Sequence, residues 1–253
     1  MRYFEITMPK QKISPSFRAH RKINVQRGIS MFIVIIIVML STLLALWASR
    51  TALFNEMVVG NDADYQRAFE AAQAMLQDAE LDIRREKPDG TICTGTGDVC
   101  RTTTAVHWPA EDKDLYMTND ILEVDPSRCQ SGICQKRVDA QDFWNDSTVL
   151  SNMTLQGARY GQFTGAKKGV DGDLKSNPIL KKTVSGEGAW YWVEIMPYAE
   201  TANATLIADS TENAVPLNIK PAVVYRTTAI AIGNKPGTRV VLQQTYVRQK
   251  LKD

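Results

Sequence analysis

The alternation of apolar and polar positions divides the chain into four blocks. From Ile29 to Ser49 runs ISMFIVIIIVMLSTLLALWAS, 21 residues without a charge. A helix of that length covers about 30 Å, the hydrocarbon thickness of a bilayer. It has no polar face, which argues against a core helix of a soluble protein. It is also longer than the ~7–15 apolar residues of a secretory signal peptide, and it ends in Trp47 and Arg50 rather than at a small-residue cleavage site. From Thr51 to Glu86 there is no proline and one glycine, Gly60, and good helix formers dominate. Apolar residues recur there at Leu53, Met57, Ala68, Ala71, Ala72, Met75, Leu76, Ala79 and Ile83, mostly three or four apart. That period predicts one face on a core, and Pro88, Asp89 and Gly90 predict the end. One helix from 29 to about 86 would be roughly 85 Å long.

Residues 91–185 show neither period. They are rich in Gly, Asp, Asn, Ser and Thr, and read as irregular, with 165–178 an exposed loop. Strand character returns in WYWVEIM (190–196), PAVVYRTTAIAIG (221–233) and TRVVLQQTYVRQ (238–249), the last two separated by the turn cluster 233–237. In the last, Val240, Leu242 and Tyr246 share a face with Gln244. The expected fold class is α+β: three or four antiparallel strands at the C-terminus, whose one buried face receives the amphipathic half-helix.

Charge adds orientation. Residues 1–28 carry seven basic residues against Glu5 alone, while residues 29–253 hold 23 basic and 27 acidic ones. By the positive-inside rule residues 1–28 stay in the cytoplasm and everything after residue 50 is exported. The mildly acidic body lacks the basic stripe that binds nucleic acid. Cysteine usage agrees with export. The four fall in two tight pairs, Cys93/Cys100 and Cys129/Cys134, and an even count in an exported chain favours disulfides. Local pairing is the simplest of three connectivities. The first gap, of six residues, is too long for a usual zinc knuckle.

Candidate chemistry is sparse. His20 lies in the basic segment, and His107 beside Trp108 and Pro109 reads as structural or surface. No nucleophile elbow, HExxH, phosphate loop or dinucleotide fingerprint occurs, so no enzyme, cofactor or metal is expected. Most carboxylates on the long helix read as its solvated face. Asp171-Gly172-Asp173 lacks the further spaced ligands of a calcium loop and reads as a turn. The sequons at Asn145, Asn152 and Asn203 read as chance matches.

A basic segment ending in glycine, then an apolar segment, an amphipathic helix and an antiparallel sheet resembles the type IV pilin plan. EMVVGNDADYQRAFEAAQAMLQDAE (56–80) and YRTTAIAIGNKPGTRVVLQQTYVR (225–248) are similar to the PilX family of minor pilins, over about residues 24–86 and 222–250. The resemblance implies cleavage by prepilin peptidase after Gly28, methylation of the Ile29 amine, and a role in initiating or assembling pili. Its implied domain plan is a cytoplasmic leader (1–28), a transmembrane half-helix (29–49), an amphipathic half (50–87) and a periplasmic disulfide-bearing domain (88–253). Implied partners are other minor pilins, the major pilin, the inner-membrane assembly platform and a pilus-tip adhesin. One position departs from the pattern. Most pilins carry Glu at the fifth mature position, where this chain has Ile33. A charge inside hydrocarbon costs about 2.5–3.5 kcal/mol and persists only when paired. Ile33 removes both cost and pairing, as in the related GspK-type secretion pseudopilins, and moves the expected position to a tip or priming complex. The competing readings are a type II secretion pseudopilin and a single-pass binding protein facing the periplasm with its leader intact.

Overall fold

The computed structural model describes residues 29–138, 140–169, 176–197 and 222–248. The first helix, α1, runs Ile29–Arg84. The chain divides into two units, residues 1–55 and 56–253. In the first unit the described residues are helical and exposed, and the most apolar window of α1 holds no buried residue. Its few polar side chains turn back onto the helix: Ser41 donates to the Ile37 carbonyl at 2.7 Å, Thr42 to Met39 at 2.8 Å and Thr51 to Trp47 at 3.0 Å. Polar groups satisfied within the segment are what an apolar surrounding demands.

The second unit is built on a five-stranded sheet, ordered β1 (Cys129–Gln130), β2 (Ile133–Gln135), β3 (Gly188–Pro197), β4 (Val223–Ile232) and β5 (Arg239–Tyr246). The three C-terminal strands are antiparallel, with Tyr191 opposite Ala229 and Ala229 opposite Leu242. Alternation sorts their side chains. Tyr191, Val193 and Ile195 of β3, Tyr225, Ala229 and Ala231 of β4, and Val240 join Ala68, Ala71, Ala72, Met75, Ala79 and Ile83 of α1 in the larger core, with Leu242 and Tyr246 packed against it. Gln244, on that same face of β5, donates to the Leu76 carbonyl at 3.4 Å. The expected pairing of amphipathic half-helix and sheet is therefore present.

Four expectations need correction. The sheet is mixed, because β2 lies parallel to β3 with Ile133 opposite Val193. Both of its faces are covered. Trp190, Trp192 and Ile230 point away from α1 into a second core with Cys129, Cys134, Phe143 and Met153, and this is why β3 is buried on successive residues. Residues 91–185 are not irregular either: they supply α2 (Asp112–Glu123), β1, β2, α3 (Ser147–Gln156) and the short α4 (Pro178–Lys181). These elements begin with local caps rather than with long periodic runs. Asp146 accepts from the N–H groups of Thr148 and Val149, and Asn177 from that of Ile179. Finally, Leu53 and Met57 lie outside the buried stripe of α1, whose buried residues begin at Asp64.

α1 stops earlier than its proline signal. Arg85 takes a left-handed φ of 58°, its N–H bonds to the Asp82 carbonyl, and the Glu86 N–H reaches the Leu81 carbonyl. This is a Schellman ending with arginine where glycine is usual. The Arg85 guanidinium then donates to the Trp108 carbonyl at 2.6 Å, which ties the helix end to the following loop.

Candidate functional site

The side chains that organise the second unit are found on the buried face of α1. Three of them are carboxylates, where the sequence pattern puts most such groups on the solvated side. Asp64, Asp78 and Asp82 are all buried and fall in phase with the alanine stripe. Each serves a different part of the second unit.

Asp64 receives the N–H groups of Asn234 and Lys235 at 2.9 Å each, closing the turn between β4 and β5 onto the helix. Gly233 makes room for this. A Cβ there would overlap Asp64 Oδ2 and stand 2.5 Å from Thr238. Burial works against the Asp64 charge, but the two N–H groups, the Thr238 hydroxyl and Lys235 hold its pKa below the usual value. Replacing Asp64 by alanine orphans two donors and is expected to cost about 1–3 kcal/mol. Hydrogen exchange at the Asn234 and Lys235 amides checks this, and unchanged protection would refute the clamp.

Asp78 accepts the Thr164 hydroxyl and, at 2.8 Å, the Gly161 N–H. Asp82 is the most heavily used. Its oxygens take Arg101 Nε at 2.9 Å and Nη2 at 2.5 Å, Trp108 Nε1 at 3.1 Å and the Tyr191 hydroxyl at 2.7 Å. Arg101 is itself buried, lies 3.7 Å over the Phe163 ring and 4.9 Å over that of Trp108, and donates to the Ser131 carbonyl. Burial opposes the Arg101 charge, and Asp82 beside it more than restores it. Burial likewise pushes the Tyr191 hydroxyl far up, so it stays a donor. A carboxylate saturated by four donors and closed from solvent orients loops and has no free lone pair for proton transfer.

The two disulfides stand in this framework. Cys93 pairs with Cys100 and Cys129 with Cys134. Cys129 and Cys134 are directly opposite across β1 and β2, and the connection is Ser131-Gly132, both at positive φ. Such a two-residue hairpin favours glycine, and a Cβ on Gly132 would also come within 2.6 Å of the Ala158 Cβ. The Ser-Gly step between two cysteines is the available sequence signal for this hairpin. A cleft of about 690 Å³ opens beside it, lined among others by Arg128, Arg137, Trp192 and Glu194.

The remaining sequence candidates fall as follows. Ile29 is the first residue of α1 and Ile33 lies one turn on, both exposed. Gly28, the Asp171-Gly172-Asp173 turn and the sequon at Asn203 lie outside the described residues. His107 is exposed, and its carbonyl accepts from the Thr118 hydroxyl. Among the described residues no group of three or more His, Cys, Asp or Glu could hold a metal ion.

Comparison with known proteins finds two family matches. The PilX N-terminal model matches residues 27–77, the apolar part of α1 and its entry into the second unit. The model of the C-terminal part of type IV pilus assembly protein PilX matches residues 130–248, from β1 to just past β5. No curated protein and no solved structure matches. With both matches falling on the elements that make up its helix and sheet, the chain belongs to the PilX family of type IV pilus assembly proteins and is a minor pilin.

Proposed function

We propose that this minor pilin works in the tip or priming complex of the pilus, as a structural subunit without catalytic activity. The leader is removed after Gly28, leaving Ile29 as a methylated N-terminus. Residues 29–49 then hold the subunit in the inner membrane with the second unit in the periplasm. Assembly moves the apolar half-helix from lipid into a bundle of similar helices. Both surroundings are apolar, so burial contributes little, and packing and contacts of the exported domain decide the position. The partners are other minor pilins, the major pilin, the assembly platform and an adhesin at the tip.

The observation that carries the tip position is Ile33, an exposed apolar residue at the place where most pilins carry the glutamate that pairs with a neighbour. A subunit without it has no need of a neighbour above. Ile33→Glu is expected to shift the subunit from tip to shaft or to lower pilus number severalfold, scored by immunogold position and pilus counts. Unchanged assembly and position would remove the support. Mass spectrometry of the mature N-terminus tests the rest: an intact segment 1–28 in cells with active prepilin peptidase would favour a permanently anchored binding protein instead.

A further inference from the structure

Helix α2 carries two apolar faces. Leu115, Thr118 and Leu122 are buried, and Leu115 and Leu122 belong to the larger core. On the opposite side Met117, Ile121 and Val124 stand exposed, at 65%, 40% and 86% of their surface, with Tyr116 beside them. Their spacing of four and three places them on one stripe. A helix needs one apolar face to dock on its own core, and this one is satisfied without the second. Beyond the helix a hydrogen bond ties its C-terminal end to α3. Asp125, next to Val124, accepts from Gln156, next to Leu155, and Leu155 is exposed as well.

Charge indicates what covers the stripe. Residues 111–125 contain six acidic residues and one basic residue, Lys113. The rest of residues 29–253 holds 22 basic and 21 acidic residues, so the whole acidic excess of that body sits on and around α2. Asp120 and Glu123 are exposed on the same helix. An acidic rim disfavours an anionic membrane surface. It also disfavours a second copy of this chain docked helix to helix, where like charges would meet. The favoured occupant is an apolar groove rimmed by lysine or arginine, and an apolar stripe at i, i+4 and i+7 suits such a groove.

We propose that the outer stripe of α2, Met117, Ile121 and Val124 between acidic residues, is the surface by which this subunit docks a different pilus subunit bearing a basic-rimmed apolar groove. The proposal rests on the minor-pilin reading and names the contact within it. The test uses the full chain in piliated cells, with a photo-crosslinking residue placed at Met117, or at the exposed Val184 as a control. Expected is an adduct from Met117, and not from Val184, to another pilin subunit, at a peptide containing Lys or Arg. The pair Asp120→Lys and Glu123→Lys should lower its yield roughly tenfold, as loss of hot-spot complementarity does. Protein level and disulfide pairing, read on the same samples, should stay unchanged, since both side chains are exposed. An adduct with lipid or with a second copy, an equal adduct from Val184, no adduct, or a yield indifferent to charge reversal would each overturn the proposal. A strain lacking the chain tests the assembly role separately. If it loses pili while the charge-reversed subunit makes them normally with its adduct intact, the docking surface fails and the assembly role stands.

Discussion

Asp82→Asn is expected to destabilise the second unit by about 3–5 kcal/mol, the cost of stranding a buried cation. Arg101 is buried, and its counter-charge is Asp82. The amide would remove the negative charge and turn an N–H₂ group toward the donors on one of the two oxygens, Trp108 Nε1 on Oδ1 or the Tyr191 hydroxyl on Oδ2, with an Arg101 nitrogen on either. The damage should spread, because these donors come from the 101–108 segment and from β3 at the centre of the sheet. Thermal unfolding of the detergent-solubilised chain measures it. The double variant Asp82→Leu with Arg101→Met removes both charges together and should recover much of the loss, since apolar replacements for a buried pair are often tolerated. A single Asp82→Asn variant within about 1 kcal/mol of the parent would show that the network carries little.

Asp78 should act in the opposite sense, and in a pH-dependent way. Burial raises its pKa from 3.8 to about 6, against the bonds from Thr164 and Gly161, with Asp82 adding to the rise and Arg101 opposing it. The folded state therefore holds this proton more tightly than the unfolded state does. Its contribution to stability is fully present below the unfolded pKa near 4 and is lost as pH rises through about 6. Above that the ionised group costs about 3 kcal/mol relative to its neutral form. Asp78→Asn keeps the shape and an oxygen for the Gly161 N–H without the charge. It is expected to be more stable than the parent by about 1–3 kcal/mol at pH 7.5 and to show no gain at pH 4. Melting curves at the two pH values decide it. A variant weaker at pH 7.5, or a difference equal at both, would show that the carboxylate is better compensated than burial suggests.

The two aspartates sit four residues apart on one helix face and differ in what they meet. Asp82 meets a cation, whereas Asp78 meets a hydroxyl and one N–H. Within the second unit the α1 segment is thus held to the sheet and loops by groups whose strength depends on partners far away in sequence. Thr164 is 86 residues from Asp78, and Lys235 is 171 from Asp64.

Long-range periodicity is legible in the chain itself. An uncharged run of 21 residues has no polar face and is long enough to cross a bilayer, and the Ala68-to-Ile83 stripe marks one face for a core. Alternation in 223–232 and 239–246 sets the antiparallel hairpin and the face that meets α1. These features follow from local pattern, because burial of one face repeats at the period of the backbone. The middle of the chain is not legible in that way. β1 and β2 are two and three residues long, and caps with a cross-strand disulfide set the local geometry more than periodicity does. Nothing local indicates that β2 pairs parallel to β3 across more than fifty residues. The buried carboxylates escape a sequence reading for the same reason. An aspartate in phase with an apolar stripe is costly to bury until its partners are known. Arg101, the Asn234–Lys235 turn and the Gly161–Thr164 segment become partners only once the chain has folded. The sequence by itself determined the apolar helix, its amphipathic continuation and the sheet it needs; only the tertiary structure decided which charges could go inside and which apolar face, on α2, was left outside.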